Sequence, residues 1–328
     1  MTNPTIYGVI SEVHRDPRIV PEAIEVLKSL GAQKLLLNGD IGESHDTMKA
    51  SQDHIAYVLD SAGKSDLETY VQPGSHETVG SYAPVMDHFS NQYSNLTDAV
   101  KNPIAEINGH NLVFLPGSDW NARGGEYTIG DRAIPTGTYV KTSQRLIPLP
   151  EDGELAIPQG TQIQGFLHYQ NMDDLKKRVT DPDKTIVVCH VPRKFDNIDE
   201  SVDMAYFAEQ ANGSLMPGIV LENMIRKQVG NIPYDQIKQI AVQNGYTFKR
   251  ENRGNKGLKD LYEGLGIKKA VSGHFHESVH RANDRNGTHV QEDTPVDKLF
   301  WNASYADERK VGILVVEDGK VKYHNIEF

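Results

Sequence analysis

The chain has 328 residues, of which 38% are hydrophobic and 24% charged, a balance typical of an ordinary globular protein with one large domain or two average ones. Its formal net charge is −11 and it has no dense run of Lys and Arg, so nucleic acid is not an expected partner. No apolar stretch approaches the roughly 20 residues needed to cross a bilayer, so we expect no membrane span.

The first residues of the chain and its cysteine content indicate the cellular compartment in which the protein is expected. Residues 1–5 contain no basic side chain, and Arg15 and Arg18 come soon after the first apolar run, which is not the pattern of a secretory signal. The only cysteine, Cys189, cannot form an internal disulfide. We therefore expect a cytoplasmic protein.

Strands and helices alternate in the first part of the chain. Residues 6–10, 34–37 and 68–72 are short apolar runs, typical of buried parallel strands. Helices are predicted between them, over residues 20–30 and 46–62. This alternation favours a parallel sheet with right-handed crossovers.

Two hairpins are predicted further along. Residues 81–100 are predicted to form a helix. Asn108-Gly109 and Asp318-Gly319 then each lie between two apolar runs, and such dipeptides are the strongest short signal of a β-hairpin. The sheet is therefore expected to change from parallel to antiparallel pairing at the first of these hairpins.

Two long segments look like insertions into a single domain over residues 1–328. The first, 120–165, is rich in Gly, Pro and Thr and weakly β-like. The second, 192–255, is predicted to contain helices near residues 202–211, 219–229 and 233–243. Each could be surface decoration, but connections of this length inside a compact domain are usually functional, which favours a cap or cleft-wall role.

Side chains that bind metals follow five strand-like runs. The carboxyl ends of parallel strands share one edge of a sheet, so these side chains should converge in one cleft. Two carboxylates with four or five imidazoles suit divalent transition metals better than calcium or magnesium. In chain order, these residues are Glu12 and His14, Asp40, Ser75-His76-Glu77, His190, and His274 with His276.

The spacing within the blocks has a physical reason. In an extended chain, residues i and i+2 point the same way, so His274 and His276 can both face the cleft while Phe275 turns into the core. Taken alone, each block has another explanation. A lone His190 could be a hydrogen-bonded core residue, and Asp40 could belong to a turn or a helix cap. The joint pattern favours a metal site.

The pattern resembles the calcineurin-like metallophosphoesterase superfamily. That family carries D-x-H, G-D, G-N-H-E, a lone H and G-H-x-H in this order, and the matches here span residues 6 to 276. The resemblance implies an α/β fold with a two-sheet β-sandwich core flanked by helices and a metal site at the carboxyl edge of the strands. The matching residues are Glu12/His14, Gly39-Asp40, Gly74-Ser75-His76-Glu77, His190 and Gly273-His274-Phe275-His276.

The resemblance also implies two divalent cations, of manganese, iron, zinc, nickel or cobalt, with Asp40 bridging them. One cation site would take Glu12, His14, Asp40 and His276. The other would take Asp40, Ser75, His190 and His274. His76 would protonate the leaving group or stabilise the transition state rather than bind metal. A structural role beside the metals is the alternative for His76.

Two positions depart from the family pattern. Glu12 stands where the family has aspartate, and Ser75 stands where it has asparagine. Glu12 keeps the charge and the ligand type with one more methylene. The hydroxyl of Ser75 is shorter than a carboxamide, so we expect weaker metal affinity at the second site rather than its loss.

The function implied is hydrolysis of a phosphomonoester or phosphodiester by a hydroxide activated by two metals. The expected partner is a small phosphorylated metabolite or nucleotide. Arg15 and Arg193 follow ligands closely and are candidates to hold phosphate oxygens. The alternatives are a catalytically weak metal-binding or interaction protein that keeps the fold, or a nuclease. The sequence does not indicate an oligomeric state.

Overall fold

Two β-sheets form the centre of the protein, in a computed structural model that describes residues 3–119, 124–150, 157 and 160–328. In spatial order the first sheet contains β19 (Lys320–Glu327), β18 (Lys310–Glu317), β1 (Thr5–Ile10), β2 (Lys34–Asn38), β3 (Glu68–Gln72) and β4 (Leu96–Asp98). Strands β1 to β4 pair in parallel, and the β18–β19 hairpin adds antiparallel pairs to β1. The predicted hairpin at Asp318-Gly319 joins β18 to β19.

The second sheet has the same mixed character. In spatial order it contains β16 (Ala282–Asn283), β17 (Leu299–Asn302), β15 (Lys269–Ser272), β11 (Thr185–Cys189), β6 (His110–Leu115) and β5 (Ile104–Ile107). The four central strands are parallel, and the two edge strands pair antiparallel to their neighbours. The predicted hairpin at Asn108-Gly109 joins β5 to β6.

Apolar side chains fill the space between the two sheets. Successive strand residues point to opposite faces, so Leu112 and Phe114 lie in the core shared by the sheets, and Val113 and Leu115 lie in the core on the outer face. Burial on both faces explains why these strands are continuous apolar runs. This α/β sandwich flanked by helices is the predicted architecture.

Helices cover both outer faces of the sandwich. Packed against the first sheet are α1 (Ile19–Ser29), α2 (Met48–Gly63) and α3 (Val79–Gln92). Packed against the second are α4 (Leu175–Arg178) and α7 (Lys256–Leu265). Over the described ranges, no helix has both the length and the apolar character that a membrane span requires.

Both predicted insertions contain sheets of their own. The first contributes β7 (Tyr127–Gly130), β8 (Gly137–Thr142) and β9 (Leu146–Pro148), which join β10 (Ile163–Asn171) in a four-stranded sheet; residues 120–123, 151–156 and 158–159 of this segment lie outside the described residues. The second contains β12 (Met204–Gln210), β13 (Leu215–Pro217) and β14 (Tyr246–Asn252) with helices α5 (Gly218–Val229) and α6 (Tyr234–Gln243). The domain boundaries themselves stay predictions.

Hydrogen bonds tie the two ends of the second insertion to each other and to the core. The buried carboxylate of Asp203 accepts from the backbone N–H groups of Phe195 and Gly254 and from the side chain of Asn252. Asn255, where the insertion returns to the core, donates to Asp119 at 2.5 Å. Buried carboxylate bonds of this kind fix where the insertion begins and ends.

Two predicted helices differ from the structure. The helix predicted over residues 81–100 ends at Gln92, and Leu96–Asp98 forms β4, because the chain there pairs with the edge of β3. The helix predicted near 202–211 is wrong. Met204–Gln210 is β12, which pairs with β14 along its whole length, and this partner is distant in sequence.

His110, at the start of β6, provides a test of the fold. Its Nε2 lies 2.6 Å from the hydroxyl of Tyr7, and burial, with the charges of Lys269 and Lys34, lowers its pKa to about 4. The unfolded chain binds a proton here below its ordinary pKa of about 6.5, whereas the folded chain does not. The unfolding free energy should therefore fall as the pH drops from about 7 towards 4.

His110→Gln keeps an acceptor for Tyr7 and removes this titration. The loss of stability between pH 7 and pH 5, measured by urea unfolding with a chelator present, should be smaller in His110→Gln than in wild type. His88→Gln, at an exposed histidine of α3, serves as control and should show the wild-type loss. Equal losses in all three proteins would contradict the role of His110.

Candidate metal centre

The loops that follow five strands bring the predicted metal-ligand side chains to one edge of the sandwich. Strands β1, β2 and β3 come from the first sheet, and β11 and β15 come from the second. Because these strands share their carboxyl edge, residues far apart in sequence become neighbours. The residues brought together are Glu12 and His14 after β1, Asp40 after β2, Ser75 and His76 after β3, His190 after β11, and His274 and His276 after β15.

The first cluster forms around Glu12. Its Oε2 atom lies 3.0 Å from Nε2 of His14 and 2.9 Å from Nε2 of His276. The Glu12 carboxylate is only 1% exposed. The three side chains offer ligand atoms within 4.8 Å of one another, which is the spacing that one metal ion needs.

The second cluster forms around Asp40 and His190. Oδ2 of Asp40 lies 3.1 Å from Nε2 of His190, which is in turn 3.2 Å from Nδ1 of His274. His190 is fully buried, and its Nδ1 donates to the backbone carbonyl of Asn38 at 3.0 Å. That bond leaves Nε2 as the nitrogen that faces the cluster. Asp40 also lies with His14 and His76 in an overlapping group, so it stands between the two clusters.

Three of these residues adopt a left-handed backbone that side chains rarely take. The φ angles are +59° at Glu12, +49° at Asp40 and +72° at His274. Such conformations cost of the order of 1–3 kcal/mol each and concentrate at functional sites. The extended geometry predicted around Phe275 is therefore wrong at His274, which is left-handed. The predicted outcome still holds for Phe275, which turns into the core, and Val13 does the same after Glu12.

Two glycines allow the loops to pack this closely. A Cβ atom on Gly39, whose φ is +80°, would lie 2.6 Å from Nδ1 of His190. A Cβ atom on Gly74 would lie 2.3 Å from Oδ1 of Asp40. Both distances are too short for real atoms, so only glycine fits at these positions.

The charges of the centre suit bound cations. Burial alone would raise the pKa of Asp40, but the nearby His190 and His76 hold it well below its ordinary value. Glu12 behaves in the same way, with the effect of burial on its pKa outweighed by His190. Two buried, ionised carboxylates need compensating positive charge. Burial, reinforced by His190, lowers the pKa of His274 to about 3, so His274 is the neutral imidazole that a metal requires.

Ser75 lies directly against Asp40. Its hydroxyl donates to Oδ2 of Asp40 at 2.9 Å, and its backbone N–H donates to Oδ1. The backbone N–H of His76 also donates to Oδ1, at 3.0 Å. These bonds hold the carboxylate of Asp40 in place. A ligand role for the Ser75 hydroxyl stays a prediction.

His76 lies at the mouth of the centre with its side chain 36% exposed. Its Nδ1 lies 3.0 Å from Oε1 of Glu43, and its ring stacks on His14 with centroids 4.4 Å apart. Burial lowers the pKa of His76, but the charges of Asp40 and Glu43 outweigh it and raise the pKa to about 10. The two carboxylates therefore favour the protonated form of His76, which donates hydrogen bonds.

The two candidate arginines lie in different surroundings. Arg15 is largely exposed, and it donates at 2.6 Å to the hydroxyl of Tyr305, whose ring stacks on His276. Arg193 is buried against the rings of Phe195 and Phe300, with its bond directed to Glu263. The structure therefore places Arg15 beside the centre and gives Arg193 a partner outside it.

Several residues of the centre were not found from the sequence. Glu43 orients His76, and Asp307 accepts from the backbone N–H groups of His14 and Arg15. Tyr305 covers one face of His276, with ring centroids 4.0 Å apart. Glu43 could have been suggested by its place three residues after Asp40. Asp307 and Tyr305 carry no local signal, since they reach the site only through the pairing of β18 with β1.

Glu77 ties two of the ligand loops together. Its buried carboxylate accepts from the backbone N–H groups of Gly42 and Gly74, both at 2.7 Å. Burial, with the charge of Asp40, raises its pKa to about 7. Glu77 does not point at the clusters but fixes the loop after β2 against the loop after β3.

Comparisons with known proteins bear on the fold. Neither a protein-family model nor a curated protein matches the sequence. The protein TT1561 of Thermus thermophilus matches with a TM-score of 0.54 at 9% identity, over 98% of this chain and 99% of that one. A second solved structure matches with a TM-score of 0.51 at 10% identity, over the same shares of the two chains. A dimetal phosphatase from Danio rerio matches at 10% identity over 99% of this chain and 100% of that one, but its TM-score of 0.46 supports no inference.

Three observations point to the same fold. They are the order of the ligand blocks, their convergence at one sheet edge, and the structural similarity over nearly the whole chain. The chain shares its fold with these two solved structures, and the order of its ligand blocks resembles that of the calcineurin-like metallophosphoesterase superfamily. Similarity at 9 and 10% identity shows the fold alone. The reaction of this protein must therefore be argued from its own residues.

Metal content tests the two clusters. Asp40→Asn removes the negative charge of one predicted ligand and His276→Ala removes another predicted ligand, so both variants should bind metal at least about tenfold more weakly than wild type. After loading with manganese and desalting, elemental analysis should find less metal in both. His88→Ala, at an exposed histidine of α3, should keep the wild-type content. Equal metal in all four proteins would show that these side chains are not ligands.

Ser75→Asn tests the departure from the family pattern. The longer carboxamide can offer an oxygen where the hydroxyl of Ser75 now bonds to Asp40. We expect metal affinity to rise several-fold, measured by titration of the metal-free protein. Unchanged or weaker binding would place residue 75 outside the metal ligands.

Proposed function

We propose that this protein is a metal-dependent phosphoesterase that hydrolyses a phosphomonoester or phosphodiester of a small molecule. The observation that carries the proposal is the pair of ligand clusters that meet at Asp40, with His76 beside them. A site of this kind serves hydrolysis because two cations and a proton donor are the groups that phosphoester cleavage needs.

The residues present fit two divalent cations. Glu12, His14 and His276 would hold one, His190 and His274 would hold the other, and Asp40 would contact both. When bound, the cations would acidify water and neutralise charge on the phosphoryl oxygens. Imidazole-rich ligands suit manganese, iron, zinc, nickel or cobalt, and we propose a metal from this group.

The chain's own contribution begins with rigid placement. Glu77 fixes the loop of Asp40 against the loop of His76, and Asp307 holds the backbone of His14. Such contacts keep the ligand atoms in place before substrate arrives, so less free energy is spent on ordering them during the reaction.

His76 is the proposed proton donor. Its Nδ1 is directed to Glu43, which leaves Nε2 to face the cleft, 4.0 Å from Asp40. The charge of Asp40, with Glu43, keeps the His76 pKa above its ordinary value. Bound cations would offset the charge of Asp40 and bring this pKa down towards neutrality, where a general acid is most effective.

Arg15 is the proposed contact for phosphate oxygens. Its guanidinium is held by Tyr305 beside His276 and remains largely exposed. From there, its planar fork could contact two oxygens of a substrate phosphate. Arg193 has no part in this proposal, because its side chain is buried on Glu263.

The two alternatives are less well supported. A nuclease needs a basic track for the phosphate backbone, and the formal net charge here is −11. A catalytically weak binding protein would not require His76, but His76 is present, oriented by Glu43 and exposed to the cleft. We propose a cytoplasmic location for the enzyme on the grounds given for the sequence.

His76→Ala tests the proton donor. The variant should keep its metal and lose about 10²–10⁴-fold in rate on a substrate with a poor leaving group such as an alkoxide. The loss should be much smaller for a nitrophenyl ester, since nitrophenolate departs without a proton. The measurement is the wild-type to mutant rate ratio for the two esters, with bound metal determined in both proteins.

His14→Ala provides the contrast, because loss of a ligand weakens the centre for every substrate alike. Its rate ratio should be similar for the two esters, and its metal content should fall. If His76→Ala also shows equal ratios, or has lost its metal, His76 is a structural or ligating residue. If wild type with manganese turns over neither ester, the proposed function itself is wrong.

A further inference from the structure

A cavity of about 440 Å³ opens directly from the metal centre. One end is formed by metal-centre residues that include Asp40, His76 and His276. A phosphate group occupies only a small part of such a volume, and cavities of this size hold small organic molecules. The remaining space is therefore available to the group that the phosphoryl unit carries.

The far wall of this cavity is apolar. It comes from the second insertion, through β12 and β13. Phe275, between His274 and His276, adds an apolar ring at the near end of the cavity. The sequence favoured a cap or cleft-wall role for this insertion but predicted a helix where β12 lies. The apolar residues that line the wall are Ala205, Tyr206, Phe207, Leu215, Met216 and Pro217.

The wall is fixed to the metal centre. The hydroxyl of Ser278, two residues after His276, donates to the backbone carbonyl of Met204 in β12. Asp203 ties the chain just before β12 to Phe195 and Gly254, near the two ends of the second insertion. Strand β12 is further held by its full-length pairing with β14. The distance from the wall to the ligand cluster is thus set by direct hydrogen bonds.

The charges around the cavity do not suit a second phosphate. Among its described lining residues, Arg253 is the only Lys or Arg, and it lies over the ring of Phe207 with Glu251 3.9 Å away. Glu43, which lies against His76, and Glu277 also line the cavity and offer hydrogen-bond acceptors rather than positive charge. A nucleoside polyphosphate would place anionic groups against these carboxylates.

We infer that the substrate carries an uncharged apolar group, of about the size of an aromatic ring, which lies on the wall formed by residues 205–207 and 215–217 while its phosphoryl group lies at the metals. This rests on the proposed function and names its substrate class. An apolar ring leaves water on this wall, and the hydrophobic effect favours that transfer. The acidic groups of the cavity select against a polyphosphate.

Phosphonates test this without turnover. Titration calorimetry on the manganese-loaded protein compares phenylphosphonate with methylphosphonate, which share the phosphoryl unit and differ in the apolar group. Wild type should bind phenylphosphonate about tenfold more tightly or better, given the apolar area that a phenyl ring buries. Methylphosphonate measures the metal centre alone.

Variants locate the effect. Leu215→Ser and Met216→Ser change side chains of the wall that are not deeply buried, so both should fold. Each should lose most of the preference for phenylphosphonate and bind methylphosphonate as wild type does. Leu30→Ser, at an exposed leucine after α1, is the matched control and should keep the full preference.

The binding measurements distinguish failure of the inference from failure of the proposed function. Equal affinity of wild type for the two phosphonates overturns the inference and leaves the proposed function standing. A preference that persists in both Leu215→Ser and Met216→Ser also overturns it, since the apolar group then binds elsewhere. If wild type binds neither phosphonate with metal present, both the proposed function and the inference that rests on it are wrong. The phenyl preference, lost in both wall variants and kept in Leu30→Ser, supports it.

Discussion

The burial of the Asp40 carboxylate is the constraint on which the rest of the centre depends. The charge lies almost wholly out of water, and it is kept ionised by His190 and by hydrogen bonds from the loop after β3. A buried carboxylate is costly unless its partners are held in place. The strained backbone at residue 40 and the glycines at positions 39 and 74 are the means by which this chain holds them.

The same constraint explains why the centre draws on both sheets. Neither sheet alone supplies enough donors, since Glu12 and Asp40 come from the first and His190 and His274 from the second. The apolar core between the sheets therefore sets the distance between the two halves of the site. Packing of that core, around residues such as Trp301 and Tyr7, is a condition for the chemistry as well as for stability.

Much of the fold and most of the candidate site could be predicted from the sequence. The physical reasons for this also explain which elements could not be predicted. Parallel strands buried on both faces are continuous apolar runs, and ligands at strand ends meet at one edge, so Asp40 and His274 could be placed together. Strand β12 was missed because its identity depends on pairing with β14, some forty residues later, and not on local preference. Tyr305 and Asp307 were missed because only tertiary structure brings them to His276 and His14.

The pairing of β1 with β18 has a consequence for how the protein folds. Ser11 bonds to Ser304 across 293 positions of sequence, and Glu12 meets His276 across 264. Contacts of such range are slow to form, because a long loop must close before they are made. During synthesis, Glu12 and His14 can therefore reach their partners only after the last strands of the chain have been made. Until then, the edge of β1 that later pairs with β18 is exposed. Non-native strand pairing and aggregation of a newly made chain should therefore begin at this edge.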